Sequence, residues 1–69
     1  MNEKLANRIK TEREKAALTQ AALAEMVGVS RKTINTVENG VFTPSTILAL
    51  KLAEALDRTV EQLFQIIED

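Results

Sequence analysis

The segment LTQAALAEMVGVSRKTINTVENG, residues 18–40, constrains the fold more than any other part of the chain. Thr19 and Ser30 have side chains suited to cap helix N-termini, and each precedes apolar residues at helical spacing. Gly28 lies between the two stretches, where a left-handed residue can end a helix at little cost. The segment therefore predicts two short amphipathic helices joined by a tight turn.

The rest of the chain also has helical patterns, and we predict one all-α domain of five helices over residues 1–69. Helix 1 is expected over residues 5–16, although its first few residues could instead pair as an extended strand with the C-terminus. Ser45 is expected to cap helix 4, and Thr59 with Gln62 predicts a capping box that opens helix 5. Sixty-nine residues are close to the lower limit for folding on a hydrophobic core alone.

The composition excludes several classes of function. Cysteine, histidine, tyrosine and tryptophan are all absent, so disulfides, thiolate metal sites and the commonest general base are absent too. No residue pair has a spacing that builds a nucleophile with its base. We therefore expect no enzyme activity, no metal and no cofactor.

No apolar run approaches the roughly 20 residues of a membrane span, and the N-terminus lacks the apolar region of a signal peptide, so a cytoplasmic protein is expected.

Charge is distributed unevenly along the chain, whose net charge is −1. Residues 1–40 carry two more basic than acidic residues, whereas residues 41–69 carry three more acidic than basic residues. A nucleic-acid surface would therefore belong to the first half, and the acidic second half would face away from phosphates or face a partner. Ordinary solvated faces are the alternative explanation of this charge pattern.

The second helix of the 18–40 segment has an unusual outer face. If Ile34 points inward, a rotation of about 100° per residue places only amides, hydroxyls and cations on the opposite side. Cations in the first turn oppose the helix dipole, which favours anions there, and a bound phosphate backbone would reverse that cost. Such a face can donate hydrogen bonds to phosphates and to base edges in a DNA major groove. It consists of Lys32, Thr36 and Asn39, flanked by Arg31 and Asn35.

The segment resembles the helix-turn-helix of the Cro/phage-repressor family, also called the lambda-repressor-like or xenobiotic-response-element-type family. The matching elements are LTQ at 18–20, LA at 23–24, VGVS at 27–30, TI at 33–34 and ENG at 38–40. The resemblance extends over nearly the whole chain. It implies a compact lambda-repressor-like DNA-binding domain whose helix-turn-helix motif, residues 19–39, is formed by helices 2 and 3.

The resemblance also implies roles for individual residues. Four side chains of helix 3 would contact DNA bases: Arg31, Lys32 and Thr36, with Asn35 at the margin. Four others would contact the DNA backbone: Gln20, which would also support helix 3, and Thr33, Asn39 and Thr43. Arg13 and Glu38 would form a structural ion pair. Ala17 stands where the family often has glycine or asparagine, so it must adopt a strained conformation or change the turn.

These expectations combine into a hypothesis about function. The protein would be a sequence-specific transcription regulator, a repressor, that binds double-stranded DNA at a pseudo-palindromic operator as a homodimer. Residues 57–69 would form the dimer interface, since their apolar residues are too many for so small a core. The expected interface residues are Leu63, Phe64, Ile66 and Ile67. The alternative is an antitoxin or anti-regulator whose acidic, apolar second half binds a partner protein, a toxin or another regulator.

Overall fold

The computed structural model describes residues 2–68 of the chain. Within these residues the chain forms five helices and one two-stranded antiparallel sheet. In chain order the elements are β1 (Glu3–Asn7), α1 (Ile9–Lys15), α2 (Gln20–Val27), α3 (Arg31–Glu38), α4 (Thr46–Leu56), α5 (Val60–Leu63) and β2 (Phe64–Glu68).

Four of the helices begin at the hydroxyl residues that the sequence predicts as caps. In each case the side-chain oxygen accepts a hydrogen bond from the backbone N–H three residues later, as in the 3.1 Å bond from Thr33 N to Ser30 Oγ. Each such cap stabilises its helix by about 1 kcal/mol. The capping box of helix α5 is also confirmed, because Thr59 and Gln62 bond reciprocally. The four caps are Thr19, Ser30, Ser45 and Thr59.

Two predicted turns of the backbone are present. Gly28 ends α2 with φ 75°, in the left-handed region where glycine has no steric penalty. Ala17, between α1 and α2, also has a positive φ of 58°, as expected from the residues that the family often has there. An alanine in this conformation costs about 1–2 kcal/mol relative to its preferred backbone geometry. The corner before α2 is therefore strained.

The terminal strands modify the all-α prediction. Residues 3–7 are not the start of a helix but the strand β1, which pairs with β2 so that Glu3 lies opposite Glu68 and Asn7 opposite Phe64. The extended alternative is thus the observed one. The Asn7 side chain explains where the strand ends: its Oδ1 accepts a hydrogen bond from Ile9 N at 3.1 Å, and its Nδ2 donates to Val37 O at 2.9 Å. Asn7 therefore forms a turn that leads into α1 and ties this corner to α3.

The hydrophobic core contains side chains from all five of these helices and from β2. Leu63 is fully buried and Phe64 is 9 % exposed. Both belong to the core of the domain, so neither has the free surface that the predicted dimer interface requires. The chain leaves α5 at Phe64 and continues as β2, which turns this side chain inward. The buried apolar residues are Ile9, Leu23, Ala24, Val27, Ile34, Val37, Leu48, Leu52, Ala53, Leu56, Leu63 and Phe64.

A charged cluster joins α1 to the turn that follows α4. Arg58 Nε donates to Glu12 Oε1 at 2.9 Å, and Lys15 Nζ lies 3.5 Å from Glu12 Oε2. Partial burial acts to raise the pKa of Glu12, but the hydrogen bond from Arg58 and the two positive charges outweigh it, so the pKa lies below its ordinary value. The ionised form of Glu12 is therefore the one that the fold favours.

Candidate nucleic-acid interface

Helix α3 is held to the domain by one apolar side. Ile34 is fully buried and Val37 is 2 % exposed, while Arg31 and Lys32 at the start of the helix are exposed. The left-handed Gly28 lets the chain reverse direction, and Val29 N donates to Ala24 O at 3.0 Å to close the corner. The corner therefore presents the opposite side of α3 to solvent.

The outer side of α3 carries positive charge without a carboxylate. Arg31 and Lys32 form no ion pair with any residue between 2 and 68. Both side chains lie where the helix dipole repels cations, so their charges are uncompensated locally. The face that Arg31, Lys32, Asn35 and Asn39 expose can attract an anion and donate hydrogen bonds to it.

Hydrogen bonds along α3 orient its polar side chains. Asn39 Nδ2 donates to Asn35 Oδ1 at 3.2 Å, which leaves the amide NH₂ of Asn35 and the carbonyl of Asn39 for other partners. Thr36 Oγ1 donates to Thr33 O at 2.9 Å, and Thr33 Oγ1 lies 3.0 Å from Ser30 Oγ. The two asparagines thus offer a donor and an acceptor side by side.

A buried polar network lies behind α3 and holds it in place. Arg13 donates from Nε to Glu38 Oε2 at 2.7 Å and from Nη2 to Glu38 Oε1 at 3.2 Å, which is a bidentate pair. Arg13 Nη1 also donates to Leu18 O at 2.9 Å. The hydrogen bond with Glu38 is the largest cause that raises the pKa of Arg13 above its ordinary value. The predicted ion pair is therefore formed, and it keeps the Glu38 carboxylate away from the outer face.

Gln20 connects the start of α2 to this network. Its Nε2 donates to Glu38 Oε1 at 3.1 Å, so Gln20 supports α3 as the sequence predicts. The same nitrogen has a second hydrogen, which is not needed for this bond and can be donated to a phosphate. Gln20 can therefore serve both as a support for α3 and as a backbone contact.

The loop after α3 brings two large apolar residues to the surface beside the helix. Val41 is 79 % exposed and Phe42 is 48 % exposed, and both backbone N–H groups donate to Thr36 O, at 3.0 and 3.2 Å. The adjoining Thr43 is exposed as well. Neither Val41 nor Phe42 is among the contacts predicted from the sequence, although two consecutive apolar residues directly after the Asn39–Gly40 helix end are a detectable pattern.

Comparison with known proteins identifies this arrangement. The sequence model of the helix-turn-helix family matches residues 9–63. The chain belongs to the helix-turn-helix family. This confirms the resemblance to the Cro/phage-repressor type, and because the family is one of non-enzymatic DNA-binding proteins, it also supports the prediction that the chain is not an enzyme.

Individual relatives share both the sequence and the fold of this helix-turn-helix protein. An uncharacterised HTH-type transcriptional regulator of Methanothermobacter thermautotrophicus is 47 % identical over 62 residues, which are 88 % of this chain and 90 % of the relative. A crystal structure of a protein from Bacteroides fragilis superposes with a TM-score of 0.80 at 33 % identity, covering 88 % of this chain and 98 % of that one. The restriction-modification controller protein C.AhdI of Aeromonas hydrophila gives a TM-score of 0.75 at 34 % identity, with 80 % and 83 % covered.

In this helix-turn-helix protein, α2 and α3 are the two helices of the motif. The structure brings the predicted base-contacting residues together on or beside the outer side of α3, where Thr36 is half-buried and the other three are exposed. Ile66 and Ile67 lie on β2 at the C-terminal end of the chain, outside the motif. None of the helices within residues 2–68 has both the length and the apolar composition needed to cross a membrane.

Proposed function

We propose that the protein is a transcription regulator, a repressor, that places α3 in the major groove of double-stranded DNA. One observation carries the proposal: the outer side of α3 exposes Arg31 and Lys32, while its one carboxylate, Glu38, is held inward by Arg13 and Gln20. The M. thermautotrophicus relative is named a transcriptional regulator and C.AhdI a controller protein, which supports the same role here. A major groove is wide enough to admit a helix of this kind.

Two classes of contact follow from this placement. Phosphate contacts would set the register of the protein on DNA without reading sequence, and base contacts would specify the operator. The proposed base contacts are Arg31, Lys32, Thr36 and Asn35. The proposed backbone contacts are Gln20, Thr33, Asn39 and Thr43.

We further propose that two copies bind one pseudo-palindromic operator, with half-sites about 34 Å apart. The surface proposed for this contact, within residues 57–69, consists of Ile66 and Ile67, whose exposure of 70 % and 44 % supports it. Ile66 continues the face of β2 that Phe64 buries, so a second copy that covers it would extend the core. Its pairing partner, Leu5, lines an apolar groove together with Leu50.

The dimer proposal is tested by sedimentation of the Ile66→Lys variant. A buried isoleucine is worth about 1.5–3 kcal/mol, so the dimer dissociation constant should rise at least tenfold. Thr11→Lys, at an exposed position on α1, is the matched control and should leave association unchanged. An Ile66→Lys protein that stays dimeric at the wild-type concentration would rule out this interface.

The DNA-binding proposal is tested by selecting bound duplexes from a random pool at a stated salt concentration, because affinity for DNA depends strongly on salt. We expect enrichment of a two-fold symmetric sequence. The Arg31→Ala/Lys32→Ala variant should lose that enrichment, whereas Lys51→Ala, which removes an exposed lysine of α4, should retain it. Failure of the wild-type protein to enrich any sequence at low salt would refute the proposal.

The alternative, an antitoxin or anti-regulator that binds a partner protein, is favoured by one specific observation. The acidic second half exposes Ile47 and Leu50 on α4, at 68 % and 58 %, in addition to Ile66. Affinity purification of the tagged protein from its source separates the two functions. A stoichiometric protein partner, combined with the absence of DNA binding by the isolated chain, would favour the alternative over the regulator.

A further inference from the structure

An apolar cleft opens directly beside the outer side of α3. One wall is formed by Lys32, Thr33 and Thr36 on the helix, and the other by Val41 and Phe42 in the loop that follows it. The cleft has a volume of about 330 Å³. Val41 and Phe42 expose 79 % and 48 % of their surface, which is a large apolar area for a position next to a cationic helix face.

The loop wall of the cleft is held in place by the backbone. The N–H groups of Val41 and Phe42 both donate to Thr36 O, and Gly40 N donates to Val37 O at 3.1 Å. Gly40 has φ 75°, the left-handed conformation that lets the chain turn back against the end of α3. The backbone that carries the two apolar side chains is therefore held beside Thr36.

Thr36 lines the cleft and carries both a hydroxyl and a methyl group. Its hydroxyl hydrogen is already donated to Thr33 O at 2.9 Å, within the helix itself. Thr36 therefore has no free donor for guanine or for the thymine carbonyl, and its Cγ2 methyl is the branch without a hydrogen-bonding role. A base edge placed against this cleft would meet apolar groups from both walls.

We propose that this cleft binds the 5-methyl group of a thymine in each half-site, and that Thr36, Val41 and Phe42 thereby determine part of the operator sequence. The inference rests on the proposed function, because Lys32 and Thr36 belong to the same outer side of α3. The 5-methyl group of thymine is the apolar group that base pairs present in the major groove, and apolar side chains and threonine methyls are its ordinary contacts. Lys32, on the helix wall, can bind the adjacent phosphate or base edge while the methyl group enters the cleft.

The test replaces each thymine of the selected operator in turn by deoxyuridine, which removes only the methyl group. Loss of one buried methyl group should weaken binding about fourfold at the thymine that contacts the cleft. Thr36→Ser removes the threonine methyl but keeps the hydroxyl, and should reduce the effect of deoxyuridine at that position. Thr36→Val keeps the methyl group and should preserve the effect of deoxyuridine at that position. Thr11→Ser, at an exposed position of α1, is the matched control.

The outcomes separate this inference from the proposed function. Specific binding to an operator in which no thymine is sensitive to deoxyuridine would overturn the cleft proposal and leave the regulator proposal standing. A sensitivity that is unchanged in both Thr36→Ser and Phe42→Ala would assign the methyl contact to other residues and overturn it too. Absence of DNA binding by the wild-type chain would overturn both proposals, and circular dichroism of each variant checks that it is folded.

Discussion

Replacement of Glu38 by glutamine tests whether the buried network holds α3 in position. The side chain of Glu38 is 2 % exposed and that of Arg13 is 10 % exposed, so the pair is shielded from water. Glu38→Gln keeps the shape of the side chain but removes the carboxylate charge that is hydrogen-bonded to the Arg13 guanidinium. Breaking a buried pair in this way costs about 3–5 kcal/mol. We expect about 3 kcal/mol, the lower end, because the glutamine oxygen can still accept one hydrogen bond from Arg13.

This loss is large for a chain of 69 residues. Domains of this size have a free energy of unfolding of about 3–10 kcal/mol, so the variant should lose roughly a third of it or more. The melting temperature should fall by roughly 12–24 °C, at about 4–8 °C per kcal/mol. Urea unfolding followed by far-ultraviolet circular dichroism is the suitable assay, since the chain has no tryptophan or tyrosine for fluorescence.

Arg58→Gln is the matched control for this experiment. It breaks the ion pair with Glu12, whose arginine side chain is 42 % exposed, and a pair that is open to solvent contributes little to stability. A second variant, Arg13→Met combined with Glu38→Leu, removes both charges and should recover much of the loss, because no buried charge remains unpaired. If Glu38→Gln is no less stable than Arg58→Gln, the buried pair does not hold α3 in position.

The remaining predictions concern the strained corner at Ala17, the pH dependence of stability and the DNA contacts. Ala17→Gly should raise the free energy of unfolding by up to about 1 kcal/mol, because glycine accepts a positive φ without strain, and a loss of stability in urea would contradict the assigned strain. The free energy of unfolding should decrease as the pH falls below about 4.5, the ordinary pKa of Glu12, because a carboxyl whose pKa is lowered in the folded state adds stability only while it is ionised. The Glu12→Gln variant should lack this part of the pH dependence when it is unfolded by urea at several pH values. Lys32→Ala should weaken operator binding by about 1–3 kcal/mol and relax the preference at one or two base pairs. Gln20→Ala should instead weaken binding to all duplexes by a similar factor. Binding measurements on a panel of operators with single base-pair substitutions will distinguish the two results.

The parts of the fold that depend on neighbouring residues were predictable from the sequence. Thr19 and Ser30 cap the helices that follow them because a side-chain oxygen needs only the backbone N–H three residues ahead. Gly28 ends α2 for an equally local reason, since it tolerates the left-handed conformation. The outer side of α3 follows from helical periodicity once Ile34 is placed inward. The prediction of α1, by contrast, began too early because its pattern does not reveal pairing with a distant strand.

The candidate site was predictable to a similar extent. Helical geometry places Lys32 outward, and the family resemblance pairs Arg13 with Glu38, as the structure confirms. The sequence did not indicate that the backbone of Val41 and Phe42 would be hydrogen-bonded to Thr36 O, because these two bonds depend on the path of a loop. Loop conformation is poorly encoded in apolar periodicity, so the cleft could be found only in the structure.

The helix-turn-helix segment and the cationic, amide-rich side of α3 are encoded locally, because caps, turns and periodicity act over a few residues. The pairing of Glu3–Asn7 with Phe64–Glu68, by contrast, depends on the packing of the whole domain. The burial of Leu63 and Phe64 also depends on that packing, and it removes two of the four predicted interface residues from the surface. Hydrogen bonds and apolar contacts between opposite ends of a chain depend on how the helices between them pack, so no local pattern specifies them.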